Sequence, residues 1–293
     1  MASTEPVPRC PFCMADGPRP RFRHGVYTIF ACRACGGGFA SPRPHPAELG
    51  TVYDAKYAET YASGAMNTID FSMRRFHDLE SSLRRYFPAV LEGQRKRVLD
   101  VGCASGGLMS EFARRGWRAE GAEVSQELAA AARSKGLTVH VGDFLRLDLE
   151  EGVHDLITMF HVIEHLDDPG KVVQKCHALL RAGGVLVMET PNWRGIGALL
   201  RGSRWSHLIP PEHLNYFGPA ALSSLVLRAG FSTARAVTIT PQVIEAVEGT
   251  PRLVRHTVRG VYQLATLLAI GTTLQVFAVK NNQSQDREGR HTP

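Results

Sequence analysis

From residue 96 onward, short apolar runs alternate with amphipathic stretches, and this limits the fold more than any other feature of the chain. RVLDVG, WRAEGAEV, LTVHVGD, HDLITMFH, VLVMETPN, FSTARAVTIT and TLQVFAVK read as seven strands. GLMSEFARRG, SQELAAAARSKG, DPGKVVQKCHALLRAGG, PAALSSLVLRAG and residues 252–270 read as the helices between them, with Ser125 as an N-cap and Gly116 and Gly136 as C-caps. Strands separated by helices do not pair as simple hairpins. The pattern therefore predicts an α/β fold with a mostly parallel, Rossmann-like seven-stranded sheet.

A hydrophobic content of 44% over 293 residues suits one large domain with a small attachment. The N-terminus, MASTEPVPRC, carries no apolar export segment, so a cytoplasmic location is expected. VYQLATLLAIGTTLQVFAV is interrupted by Gln, Gly and Thr and reads as a buried helix and strand, not a membrane span. The net charge of +6, with basic groups such as Arg19, Arg21, Arg23 and Arg95-Lys96-Arg97, favours acidic partners: phosphorylated substrates or nucleic acid. A merely solvated basic surface accounts for it equally well.

Four of the six cysteines form Cys10-x-x-Cys13 and Cys32-x-x-Cys35, with 18 residues between the pairs. Paired units of this kind, without an export signal, point to tetrahedral structural Zn²⁺ and not to disulfides. Gly36-Gly37-Gly38 lets the backbone turn around the metal. The expected organisation is a zinc ribbon over 1–45, a helical region over 46–95, a nucleoside-binding domain over 96–281 and a disordered tail over 282–293.

VLDVGCASGG places a strand end and a loop of small residues where ligands sit in such sheets, beyond the carboxyl ends of the strands. Gly102 and Gly106 are read as removing Cβ atoms beside a bound nucleoside. Glu123 follows Gly102 by 21 residues and can accept from both ribose hydroxyls. Asp143 can accept from an exocyclic adenine amine while Phe144 covers the ring. A dinucleotide site wants Gly-x-Gly-x-x-Gly facing a pyrophosphate. Here Asp100-x-Gly102-x-x-x-Gly106 puts an acid inside the motif, which suits a positively charged ligand and disfavours a nicotinamide dehydrogenase.

VLDVGCASGG, GAEVS, VGDF, DLITMFHVIEHLDDP, LRAGGVLVMETPN and TLQVFAVK together resemble the class I S-adenosylmethionine-dependent methyltransferases over about residues 96–280. The resemblance implies a sheet whose last strand is antiparallel, with S-adenosyl-L-methionine along Asp100, Gly102, Gly106, Glu123 and Asp143. CPFC, CRACG and FASPRPHPAELGTVYDAKY are similar to bacterial sugar and natural-product methyltransferases with an N-terminal zinc ribbon. Ala104 departs from the pattern, since many relatives have glycine there.

On the acceptor side, His161, Glu164 and His165 are spaced to share one face of a helical turn, and His213 lies in PEHLNYF. Three readings stand: a general base, with His161 or His165 preferred; a divalent metal site; or local hydrogen bonding that shapes the rim. Ubiquinone-pathway O-methyltransferases and RNA 3′-end methyltransferases carry a Glu-x-x-Glu-His metal motif at this point, and this chain has His161 in place of the first Glu. Trp193, Trp205, His207, Tyr216 and Phe217, beside Arg194, Arg201 and Arg204, form either a phosphate clamp or a small core.

The expected function is methyl transfer to an oxygen or carbon of a small-molecule, sugar or natural-product intermediate. The alternatives are an RNA-modifying methyltransferase and a non-catalytic zinc-ribbon interaction protein.

Overall fold

The computed structural model describes residues 9–43, 69–240, 260, 264–266 and 268–281. The stretch 44–68, most of the helix expected over 252–270 and the tail from residue 282 lie outside the described residues.

Three strands come first: β1 (Arg19–His24), β2 (Tyr27–Ala31) and β3 (Gly38–Ser41). Helix α1 (Ile69–Tyr86) leads into β4 (Arg97–Val101), α2 (Gly107–Arg114), β5 (Arg118–Glu123), α3 (Gln126–Arg133) and β6 (Thr138–Val141). Then follow β7 (His154–Phe160), α4 (Pro169–Leu179), β8 (Leu180–Pro191), α5 (Ile196–Arg201), β9 (Asn215–Tyr216), α6 (Pro219–Arg228), β10 (Thr233–Ile239) and β11 (Thr273–Val279).

The seven-stranded sheet runs β10-β11-β8-β7-β4-β5-β6, as the alternation predicts. Pairings among β4, β5, β6, β7 and β8 are parallel, and β11 is antiparallel to both β8 and β10. The chain builds β4, β5 and β6 toward one edge and then crosses to β7, so the switch point lies between β4 and β7.

Both faces of the sheet are covered, which is why β4 and β7 read as nearly unbroken apolar runs. On one face Leu99, Ile157, Leu186 and Val276 pack under Val172 and Cys176 of α4 and Leu222 and Val226 of α6. On the other, Val98, Leu156, Val187 and Phe277 meet Leu79 and Leu83 of α1 and Phe112 of α2. Ser125 caps α3 as expected, its Oγ accepting from Leu128 N at 3.3 Å.

The structure departs from the sequence reading in one place and narrows open readings in two others. Helix α4 ends at Leu179, and the Leu180–Gly184 segment, expected to be helical, already belongs to β8. Gly183, at φ +74°, allows the chain a conformation that a helix cannot use. Of the two readings of the 191–218 stretch, the small core is the one that forms, not the clamp: Trp193, Trp205, Leu208, Leu214 and Tyr216 pack with Ile29 and Ala40. The Arg95–Arg97 cluster is not an open basic patch either. Lys96 pairs with Asp155 at 3.3 Å, and Arg97 pairs with Glu120 at 3.1 Å and Glu150 at 3.0 Å.

The N-terminal hairpin is joined to the body. Strand β3 pairs with β9, matching Gly38 to Tyr216 and Phe39 to Asn215, and makes a four-stranded sheet β1-β2-β3-β9. Phe12 lies 4.6 Å from Phe217 between ring centroids, and Phe12 and Phe39 enter the main core.

Candidate active site

Asp100, Gly102, Glu123 and His161 come together because β4, β5 and β7 are parallel and end at the same edge of the sheet. Asp100 sits at the switch point, opposite Thr158, whose Oγ1 donates to Asp100 Oδ1 at 2.7 Å. Burial pushes the Asp100 carboxyl up to about 7, and the Thr158 hydrogen bond only partly opposes this. A carboxyl so poised gains from a cation placed beside it.

Glu123 is buried at the end of β5. Its Oε2 accepts from Ala104 N and its Oε1 from Ser125 N, both at 2.9 Å. Asp143 is half exposed and accepts from Leu145 N at 3.0 Å. Phe144 is buried in the main core, and the Lys175 ammonium stands 5.2 Å from its ring centroid.

The loop after β4 owes its shape to left-handed backbone at Gly102 (φ +75°) and Gly106 (φ +76°). A Cβ at Gly102 would stand 2.3 Å from Val162 Cγ2, and one at Gly106 would stand 2.4 Å from Leu137 Cδ1. The left-handed backbone and, at Gly102, the β-branched Val162 both favour glycine at these positions. Ala104 adopts φ +47° without being glycine. Left-handed backbone costs an L-residue about 1–2 kcal/mol, and glycine returns part of this through the freer unfolded chain. Ala104→Gly is expected to stabilise the protein by about 1 kcal/mol, read from denaturant unfolding; equal or lower stability would mean that Ala104 bears no strain.

On the acceptor side, His161 has φ +54° and its ring lies between two carboxylates. Nδ1 is 3.3 Å from Glu164 Oε1, and Nε2 is 3.1 Å from Glu189 Oε1. Burial alone would lower the His161 pKa, but the hydrogen bonds to Glu164 and Glu189 outweigh it and raise it to about 9. An imidazolium has no lone pair with which to take a proton, so the base role expected of His161 does not suit its place. Burial opposes ionisation of Glu164 and Glu189, and the bonds to His161 overcome it and hold both below the usual carboxylate range. Glu189 also accepts from Gln275 Nε2 at 2.7 Å and faces Arg75 at 3.5 Å.

Glu164, His165 and His213 each offer a donor atom within 4.8 Å of the other two. Among the described residues, Glu164 Oε2 is buried with no hydrogen-bond partner. His165 Nδ1 donates to Glu212 O and His213 Nδ1 to His207 O, both at 2.8 Å. With Nδ1 donating, the acceptor nitrogen of the neutral His213 ring is Nε2. Burial pushes the His213 pKa down to about 4, so that ring is neutral at physiological pH.

Sequence reasoning missed Glu189, Arg75 and Gln275. The one available signal was a glutamate interrupting the apolar run VLVMETP.

The N-terminal cysteines also meet. Cys10 Sγ lies 3.6 Å from Cys35 Sγ, Cys13 Sγ lies 3.6 Å from Cys32 Sγ, and the four sulfurs are mutually within 4.8 Å. None is in a disulfide. The two turns repeat one geometry: Met14 N donates to Cys10 O and Gly36 N to Cys32 O, each at 2.9 Å, with Met14 and Gly36 both left-handed.

Residues 71–235, more than half of the chain, match the family described as "Methyltransferase domain". The ubiquinone biosynthesis O-methyltransferase of Xanthomonas axonopodis pv. citri (strain 306) is 29% identical over 174 residues, which is 55% of this chain and 73% of that protein. The enzyme of the same name from Psychrobacter arcticus is 31% identical over 156 residues, 47% of this chain and 59% of that one. The matched region thus spans about three-quarters and three-fifths of these two relatives' lengths. A crystal structure of a SAM-dependent methyltransferase from Archaeoglobus fulgidus superposes with a TM-score of 0.54 at 19% identity, covering 78% of this chain and all of that one. Sheet order, strand-end acids and family match agree: the chain belongs to the methyltransferase-domain family and is an S-adenosylmethionine-dependent methyltransferase.

Proposed function

We propose that the protein methylates a hydroxyl oxygen of a small molecule that carries a second oxygen beside it, such as a diol or catechol. The observation carrying this reading is the Glu164, His165 and His213 cluster with its unpartnered, buried Glu164 oxygen. A Glu/His₂ set whose rings are oriented by backbone carbonyls suits a divalent cation with positions left open. Such a cation, when bound, lowers the pKa of an acceptor hydroxyl and orients its neighbouring oxygen. The naming of related proteins as O-methyltransferases supports oxygen as the acceptor atom.

In this reading Asp100 faces the cationic amino acid end of S-adenosylmethionine, Glu123 accepts from the ribose and Asp143 faces the base. Gly102 and Gly106 shape the loop between them. Lone-pair attack by the acceptor oxygen forms the new C–O bond. The methyl–sulfur bond breaks, its electron pair returns to sulfur to give S-adenosylhomocysteine, and the acceptor proton leaves to solvent. Glu164, His165 and His213 bind and orient the acceptor end, and positioning supplies much of the rate. His161 stays protonated and balances the charge of Glu164 and Glu189. The four cysteines hold structural Zn²⁺: an Sγ–Sγ edge of about 3.8 Å follows from Zn–S bonds of about 2.3 Å. The cysteine-bearing ribbon and the transferase body form the two functional units.

The deciding experiment is methyl transfer from labelled S-adenosylmethionine to catechol, a vicinal-diol sugar, a simple phenol and RNA, each with and without added Mn²⁺. Cation-dependent labelling of the catechol or diol is expected; labelling of RNA alone would overturn the small-molecule reading. Asp100 adds a pH signature. S-adenosylmethionine affinity is expected to rise about tenfold from pH 6 to pH 8, as a carboxyl with a pKa of about 7 ionises. Asp100→Asn should flatten that dependence in calorimetric titrations, and an unchanged slope would remove Asp100 from the cation's side.

A further inference from the structure

Asn215, in the motif PEHLNYF, has no role in any of the chemistry above, yet it touches the acceptor turn at three points. Its buried side chain donates from Nδ2 to Ile163 O at 3.2 Å and to Leu166 O at 2.6 Å. Its backbone N–H, together with that of Leu214, donates to Glu164 O at 2.9 and 2.8 Å. One residue therefore grips both ends and the middle of the 163–166 turn that carries Glu164 and His165.

The grip is held from the other side by the cysteine-bearing hairpin. Arg43 Nη2 donates to Asn215 Oδ1 at 2.8 Å, which fixes the carboxamide's orientation and aims both N–H groups at the turn. Strand β3 pairs Phe39 with Asn215, and Ala40 N donates to Leu214 O at 2.9 Å. Tyr216 OH donates to His213 O at 2.8 Å, so the same short strand also ties down the backbone of His213, two residues before it. The turn with Glu164 and the segment with His213 lie about fifty residues apart in the chain, and the N–H donors of Leu214 and Asn215 tie them together.

We infer that Asn215 is the positioning residue of the acceptor cluster, and that the cysteine-bearing hairpin holds it in place through β3 and Arg43. The inference rests on the acceptor-site reading above. Groups one step behind metal ligands change affinity or activity by about 10–100-fold when altered. Asn215→Asp keeps the size and the Arg43 contact but loses both donors to the turn.

The test uses full-length protein with zinc-loaded cysteines, titrated with Co²⁺ and followed by its d–d absorption; S-adenosylhomocysteine calorimetry reports the integrity of the cofactor side. Asn215→Asp is expected to weaken Co²⁺ binding at least tenfold and to change the band shape, with S-adenosylhomocysteine affinity within about twofold of wild type. Wild-type Co²⁺ affinity and spectrum in the variant would overturn the inference. Should Asn215→Asp fail to fold, Arg43→Gln, which leaves the carboxamide in place but unanchored, is expected to show a smaller loss in the same direction; an unaltered Co²⁺ response would overturn the brace. Should wild type itself bind no Co²⁺ while binding S-adenosylhomocysteine, the metal reading falls. Asn215 is then judged by the Cε1–H NMR signals of His165 and His213, which move in Asn215→Asp if it positions them and stay put if it does not.

Discussion

Glu164→Gln is expected to lower the rate of methyl transfer at least a hundredfold while S-adenosylhomocysteine affinity stays within about twofold. Glutamine preserves the length and shape of the side chain and can still accept from His161 through its carbonyl oxygen. It cannot present a charged, unpartnered oxygen toward His165 and His213, where Glu164 Oε2 is buried without a hydrogen bond among the described residues. An amide N–H in that place repels a cation and turns a donor toward two ring nitrogens. The cofactor side does not share this charge, because Asp100 is held by Thr158 and Glu123 by the Ala104 and Ser125 amides. Equal losses of cofactor affinity and rate would therefore sink the division between the two halves of the site.

The same substitution has a stability signature with a defined pH dependence. The raised pKa of His161 means its pairing stabilises fully below the ordinary imidazole value of 6.5 and is lost as pH rises through about 9. The depressed pKa of Glu164 means its share is present above its ordinary value of 4.5 and is lost as pH falls below that. The two windows overlap between about pH 4.5 and 6.5, where wild type should gain most over Glu164→Gln. A buried charge left without any partner costs about 3–5 kcal/mol, but Glu189 still faces the imidazolium, so a loss on the order of 2 kcal/mol is expected. Urea unfolding across this pH range would show the difference; a pH-independent gap would mean that His161 and Glu164 are not an ion pair in solution.

The legibility of the sequence was uneven, and the unevenness has a physical pattern. The sheet could be read because each strand and helix announces itself through neighbours a few residues apart, as in RVLDVG followed by GLMSEFARRG. The strand-end acids Asp100 and Glu123 could be placed because parallel strands end at one edge wherever the chain alternates in this way. The cysteine pairs were legible for the same reason, since two close spacings define two turns. Contacts set by long-range docking could not be read. Nothing local to Gly38–Ser41 or to Asn215–Tyr216 says that they pair, and a two-residue strand has no periodicity. Glu189 was hidden because its partners, His161 and Gln275, lie on β7's end and on β11. The glycines were legible as a loop, but their packing neighbours were not: Val162, which a Cβ at Gly102 would meet, is sixty residues away in sequence.

Stripping the proposed Zn²⁺ from the cysteine cluster, or Cys35→Ser, is expected to lower the unfolding midpoint of the whole protein by about 10 °C or more. Structural zinc contributes about 10–16 kcal/mol in isolated finger peptides, and about 1 kcal/mol moves the midpoint of a domain of this size by about 2–4 °C. Half of that stabilisation reaching the global transition is sufficient. The reason it should reach the global transition is the shared core. Phe12 packs on Phe217, Ile29 and Ala40 lie with Trp193, Trp205 and Tyr216, and β3 is hydrogen-bonded to β9. A hairpin appended by a linker would instead melt separately, in a small early transition that left the main one where it was. Calorimetry distinguishes the two outcomes, and tryptophan emission adds a local reading because two of the three tryptophans belong to that shared core. One cooperative transition moving as a whole, with red-shifted emission, makes the cysteine cluster part of the enzyme's folding unit. Two transitions would make the hairpin an independent module, and the β3–β9 pairing would then contribute little to the stability of the acceptor side.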